Sequence, residues 1–254
     1  MSKLPKEYKF IDVSDYGRSI ARLIANVFKN TSVTPVQVTV GFIISGLTAI
    51  LCMLSDYYWA AAFFLILKSI LDAADGELAR VKNTPSYTGR YLDSVADIIL
   101  NLLFFTTIAY ISHTNIIYAL LAFLGVQLQG TLYNYYYVIL RNNSNGDTTS
   151  RVFEDSSPTA MNGEKQQVVD TLFKAYKFLY GRFDRAIYLL DPKAVESKPF
   201  PNWFMTCVSI FGLGFQLLLI SIMLVMKLSN YIIPFFIAYS GFILILIAIR
   251  KTIR

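Results

Sequence analysis

Residues 72–97 read DAADGELARVKNTPSYTGRYLDSVAD and set four aspartates, Asp72, Asp75, Asp93 and Asp97, in two pairs spaced three and four apart. Those spacings put each pair on one face of a helix, one turn apart. Apolar sequence flanks them on both sides, AAFFLILKSIL before and IILNLLFFTTIAYI after. A charged residue near the centre of a membrane helix costs roughly 2.5–3.5 kcal/mol on an insertion scale. Four uncompensated carboxylates would cost on the order of 10 kcal/mol, comparable with the stability of a whole domain. A cation must therefore sit among them.

Working outward, the chain is 55% hydrophobic and 15% aromatic over 254 residues, with a mean hydropathy of +0.47. Soluble domains run near 45–50% apolar, and here the excess is gathered into long runs, so an all-α integral membrane protein is expected. Six spans are predicted at about 35–54, 58–80, 89–112, 115–140, 203–226 and 231–249. Each can cross roughly 30 Å of hydrocarbon with some tilt. Thr34-Pro35 reads as the cap and first turn of the first span. Ahead of it, residues 14–30 place Ile20, Leu23, Ile24, Val27 and Phe28 on one helical face, opposite Arg18 and Arg22. That pattern predicts an N-terminal amphipathic helix lying in the membrane interface. The expected division is 1–34 as an interfacial segment and 35–254 as the six-span domain, with a cytoplasmic insert at about 142–202.

The insert opens polar and turn-rich over 142–158. Further on, Val169, Leu172, Phe173, Tyr176 and Tyr180 recur at helical spacing between Lys174, Lys177, Arg182 and Arg185. A surface-lying amphipathic helix follows, facing anionic lipid rather than nucleic acid. Of the 23 Lys and Arg residues, 21 fall on one side of the predicted spans; Lys68 lies inside a span and Lys227 opposite. The positive-inside rule puts both termini and the aspartate site at the cytoplasmic face.

Carboxylate oxygens are hard ligands that suit Mg²⁺ or Mn²⁺. Cys52 and Cys207 lie in apolar spans and His113 in a short polar break, so no zinc site is expected. Two aspartate pairs on neighbouring antiparallel helices can hold two ions, which would clamp a phosphoryl group in transfer. Gly76 and Ala79 leave one side of their helix bare for a ligand, Gly89 does so opposite, and Arg80 offers a cation for a phosphate. Lys68, four residues before Asp72, either pairs with that carboxylate or binds an acceptor or lipid phosphate. Arg141, at the end of the fourth span, is a second candidate for an anionic group. The structural alternative, a salt-bridge cluster of the acids with Lys68, Arg80 and Arg90, leaves the two glycines and the alanine unexplained.

The spacing Asp-x2-Asp-Gly-x2-Ala-Arg-x8-Gly-x3-Asp-x3-Asp, filled by Asp72, Asp75, Gly76, Ala79, Arg80, Gly89, Asp93 and Asp97, resembles the signature of the CDP-alcohol phosphotransferases. The resemblance implies a membrane enzyme that moves a phospho-alcohol group from a CDP-alcohol to a hydroxyl acceptor and releases CMP. Asp72, Asp75 and Asp93 would then hold two divalent ions, Mg²⁺ or Mn²⁺. Gly76, Ala79, Arg80 and Gly89 would receive the CDP moiety, and Asp97 would be the base. The partners implied are the CDP-alcohol, the acceptor and membrane lipid, with a homodimer as a further expectation. One position departs from the pattern: Val36 stands where many relatives carry Asn. The rivals are a divalent-cation carrier and an inactive scaffold. A carrier usually has repeated halves about a mid-membrane site, and no repeat is visible here.

Overall fold

The computed structural model describes residues 4–144, 154 and 156–253, and every regular element among them is helical. The polar reading of 142–158 falls mostly on 145–153 and 155, outside the described residues. In chain order the helices are α1 Arg18–Phe28, α2 Pro35–Leu54, α3 Tyr58–Lys82, α4 Tyr87–Ile111, α5 Ile116–Asn143, α6 Gln166–Leu190, α7 Asn202–Val208, α8 Leu213–Val225, α9 Ser229–Tyr239 and α10 Phe242–Thr252.

Local chemistry sets the ends of the long helices. Thr34 accepts from the Gln37 amide at 3.3 Å while Gln37 accepts from the Thr34 amide at 2.8 Å, a capping box ahead of Pro35. Asn83, at φ 52°, ends α3 in the left-handed region that asparagine tolerates. Ser86 accepts from the Gly89 amide at 2.9 Å and starts α4; Asn115 does the same for α5 through Ile117. With only four residues between α3 and α4, the two aspartate-bearing stretches lie side by side.

Phe42 and Ala49 of α2, Leu65 of α3, Phe104 and Phe105 of α4, Leu217 of α8 and Phe236 of α9 form one buried core. Gly46 lets α2 close on α4, since a β-carbon there would meet Leu100 at 2.8 Å. Outward, Val40, Ile44, Leu47 and Leu51 form an exposed apolar stripe on α2. Among the described residues, four stretches are long and apolar enough to cross a membrane: α2, α4, α5, and α9 with α10. The α7–α8 pair makes up to five if its two parts, bent by 52°, form one span. Together they fit an integral membrane protein. α3 is long enough but carries Lys68 just before its midpoint and Asp72, Asp75, Glu77, Arg80 and Lys82 in its second half.

Three stretches differ from the sequence reading. The fifth predicted span is broken at Gly212, whose backbone is extended. Ser14 fills that break, and a β-carbon on Gly214 would sit 2.0 Å from its carbonyl oxygen. The Val13 amide also donates to Ser209 Oγ at 3.0 Å, so the N-terminal segment wedges the helix apart. α1 is shorter than the predicted 14–30 and packs on α3 through Ala21 and Ala25, leaving Ile20, Leu23 and Val27 exposed. On α6, the face read as lipid-facing covers α4 instead. Val169 and Phe173 are buried against Tyr91, and the Tyr176 ring lies 5.2 Å from that of Tyr91. An aromatic face gains more from a neighbouring aromatic face than from water or headgroups.

Glu164 fastens the start of α6 to the start of α4. Its carboxylate accepts from Ser86 Oγ at 2.8 Å and from the Thr88 and Met161 amides at 2.6 and 2.9 Å. Partial burial alone would raise its pKa, but those donors hold it down to about 2. Because the folded value lies below the usual 4.5, this contribution is full above pH 4.5 and is lost as pH falls through about 2. Glu164→Ala should speed amide exchange at Thr88 by about fivefold at neutral pH, the effect of losing a cap worth about 1 kcal/mol. Unchanged exchange would show that this carboxylate does not hold the insert.

Candidate active site

The second half of α3 and the first turns of α4 bring Asp72, Asp75 and Asp93 together, each offering an oxygen within 4.8 Å of the others. Thr39, one turn into α2, donates to Asp75 Oδ2 at 2.6 Å. Lys68, with no exposed surface, reaches the cluster from one turn earlier on α3. Its Nζ donates to Asp72 Oδ2 at 3.0 Å and pairs with Asp97, while lying 4.6 Å over the Phe42 ring. Lys68 therefore pairs with a carboxylate of each helix.

One ammonium does not balance four carboxylates. Asp93 Oδ1 is buried with no hydrogen-bond partner. An orphaned carboxylate oxygen inside a protein is costly and calls for a donor or a cation. The three converging oxygens, one each from Asp72, Asp75 and Asp93, are a hard donor set of the kind Mg²⁺ or Mn²⁺ takes, so the residues fit a divalent ion.

Beside the acids lies a cationic edge. Glu77 accepts from Arg18 at 2.6 Å and from Arg80 NH2 at 3.1 Å, with Arg22 at 3.9 Å. Arg80 Nε is buried without a partner, so that guanidinium retains donor capacity. Its NH1 and NH2 lie over Gly76, where a β-carbon would be 3.7 Å away. At Gly89 a β-carbon would meet Ser86 Oγ at 3.4 Å and Val36 Cγ2 at 3.7 Å. All are ordinary contacts, so the protein's own packing demands glycine at neither position. Val36, the departure noted in the sequence, is thus a neighbour of Gly89.

Thr39, Lys68, Asp72, Asp75, Asp93 and Asp97 form the group that the structure assembles. Arg141 is buried in the last turn of α5 with its guanidinium 5.8 Å over the Tyr137 ring. Sequence reasoning missed Thr39, Glu77 and Tyr180 as neighbours of the site. Tyr180 of α6 donates to the Ser94 carbonyl at 3.0 Å. Burial first, then the Asp97 and Asp93 carboxylates, push its hydroxyl well above the usual range. Only Glu77 had a local signal, its i,i+3 spacing to Arg80.

No curated protein matches the chain. The family model for CDP-alcohol phosphatidyltransferase matches residues 32–151, which hold α2 to α5 and all eight signature positions.

Proposed function

We propose that this chain, in which a CDP-alcohol phosphatidyltransferase domain spans residues 32–151, transfers a phospho-alcohol group from a CDP-alcohol to a hydroxyl acceptor in phospholipid synthesis. The observation that carries the reading is the convergence of Asp72, Asp75 and Asp93 with a buried, partnerless oxygen on Asp93. These three would hold two divalent ions, Mg²⁺ or Mn²⁺, which when bound supply charge neutralisation at phosphate oxygens.

The chain's own residues do the rest. Asp97 takes the acceptor's hydroxyl proton on a carboxylate oxygen as the acceptor's hydroxyl oxygen bonds to the β-phosphorus. The bond from this phosphorus to the bridging oxygen breaks, and CMP leaves with that oxygen. Lys68, paired with both, fixes Asp97 and Asp72 relative to each other. Arg80 donates to a phosphate oxygen, and the bare backbones at Gly76 and Gly89, with Ala79, admit the CDP moiety. A cation carrier gives no account of glycine at two positions where the protein's own packing does not demand it.

The membrane topology proposed is six spans, with α3 as the span whose charged half forms the site. α1 lies in the interface with Ile20, Leu23 and Val27 towards lipid, and the site faces the cytoplasm, as the Lys and Arg distribution indicates. The donor is either CDP-diacylglycerol or a CDP-polar alcohol with diacylglycerol as acceptor. Purified protein given each donor with a panel of acceptors should release CMP with Mg²⁺ or Mn²⁺, stop in EDTA, and yield a lipid product identifiable by mass. Full turnover in chelator, or no CMP from any donor, would count against the reading.

A further inference from the structure

We infer that α1 is a positioning element of the donor site: Arg18 holds Glu77, and Glu77 in turn holds the Arg80 guanidinium over the bare backbone of Gly76. The ligand concerned is the diphosphate of the CDP-alcohol, so the inference rests on the transferase reading. One oxygen makes the joint. Glu77 Oε1 accepts from Arg18 Nη1 at 2.6 Å and from Arg80 Nη2 at 3.1 Å, with Arg22 Nε at 3.9 Å. Both Nη1 and Nη2 of Arg80 lie 3.7 Å from where a β-carbon on Gly76 would stand. α1 precedes residues 32–151, so Arg18 lies outside the matched domain and its signature.

Three observations make this more than a tie between two helices. First, α1 sits too closely on α3 to slide. A β-carbon on Gly17, which caps α1, would lie 2.8 Å from Ile70 Cγ1. Ala21 and Ala25 are fully buried in one cluster with Ala74 and Leu78. Ile70, Ala74 and Leu78 succeed one another by single turns on α3, and Glu77 borders the last of them. Lys82 donates to the Thr31 and Val33 carbonyls at 2.7 and 2.6 Å, which fastens the link after α1 as well. Secondly, Glu77 could not aim Arg80 alone. An i,i+3 ion pair within one helix is worth about 0.2–0.5 kcal/mol, about twofold in population. Glu77 is only 7% exposed, and Arg18 fixes its carboxylate from a second helix. Arg18 is held in turn by its pair with Asp15. Thirdly, these pairs leave Arg80 able to bind. Glu77 takes Nη2, while Nε is buried with no partner. Arg22, its side chain 61% exposed, adds a further positive charge at the same edge. A guanidinium oriented before the donor arrives avoids an ordering cost of about 0.5–1.5 kcal/mol.

The test uses the full chain in nanodiscs, with CMP release from the CDP-alcohol it turns over and, separately, binding of CDP in Mg²⁺. Glu77→Ala should raise KM for the CDP-alcohol and Kd for CDP by about tenfold, the loss of one charge-assisted contact at Arg80, with kcat nearly unchanged. Arg18→Ala, which leaves Glu77 its bond to Arg80, should raise both by about threefold, the ordering cost restored, and Arg18→Lys should recover part of that. In an Arg80→Ala background neither change should add anything, because the residue through which both act is gone. A role confined to joining the helices would lower thermal stability, leave KM and Kd at the parent values and add fully to Arg80→Ala; that result overturns the inference. So does a lower KM in Glu77→Ala, which would make Glu77 a competitor of the phosphate for Arg80. Weaker CDP binding in Glu77→Ala with no CMP released from any donor would support the positioning and sink the transferase reading. CMP release with KM unmoved would do the reverse. A parent that neither binds CDP nor releases CMP overturns both.

Discussion

Asp97→Asn is expected to bind a CDP-alcohol nearly normally while its rate of CMP release falls by about 10²–10⁴-fold, the usual worth of a general base. An amide cannot take the acceptor's proton, so the chemistry stops while the binding surface stays. The fold should tolerate the change, because Lys68 keeps Asp72 at 3.0 Å and is not left as a lone buried charge. Asp72→Asn, Asp75→Asn and Asp93→Asn should fail at both steps, since each removes a charge from the converging set that would hold an ion. The measurement is donor binding in Mg²⁺ beside the rate of CMP release for all four variants. If Asp97→Asn loses binding as badly as Asp93→Asn, Asp97 is a ligand or a support and the base lies elsewhere.

Asp191→Ala should destabilise the protein by about 3–5 kcal/mol, the usual result of stripping one partner from a buried ion pair. Asp191 has no exposed surface and closes the end of α6 onto α10. Arg250 reaches it with Nε at 2.5 Å and pairs again through NH2, and Tyr136 donates to it at 2.8 Å. Removing the carboxylate leaves a guanidinium only 7% exposed and a buried hydroxyl, both without their acceptor. Denaturation in mild detergent measures the loss. The double variant Asp191→Leu with Arg250→Met should recover a large part of it, because no charge is then stranded. A single variant as stable as the parent would mean that the pair is solvated and contributes little.

What the sequence disclosed and what it hid divide along the range of the interactions. Thr34-Pro35 acts within one turn, so α2 begins at Pro35 as its cap predicts, and α4 and α5 begin at Tyr87 and Ile116, close to the predicted 89 and 115. The aspartate spacing likewise needs only helical geometry to bring Asp72 and Asp75 onto one face. The bend at Gly212 was not legible, because it depends on Ser14 from the other end of the chain. The same holds for Thr39 on Asp75, 36 residues apart, and for Arg250 on Asp191, 59 apart. Lys68 was readable as a partner of Asp72 four residues on, but not as the bridge to Asp97 on the next helix. The apolar face of α6 was plain from its period; its covering of α4 was not, since periodicity shows that a face is buried and not against what.

The central claim is that the carboxylates between α3 and α4 hold the ions of a phosphotransfer site, and binding of Mn²⁺ tests it without any assay of turnover. Electron paramagnetic resonance of the purified chain should show free Mn²⁺ removed saturably in the absence of substrate and displaced by excess Mg²⁺. In Asp93→Asn that uptake should be lost while the helical content stays unchanged. A chain that takes up no Mn²⁺, or an Asp93→Asn variant that takes up as much as the parent, would contradict the account.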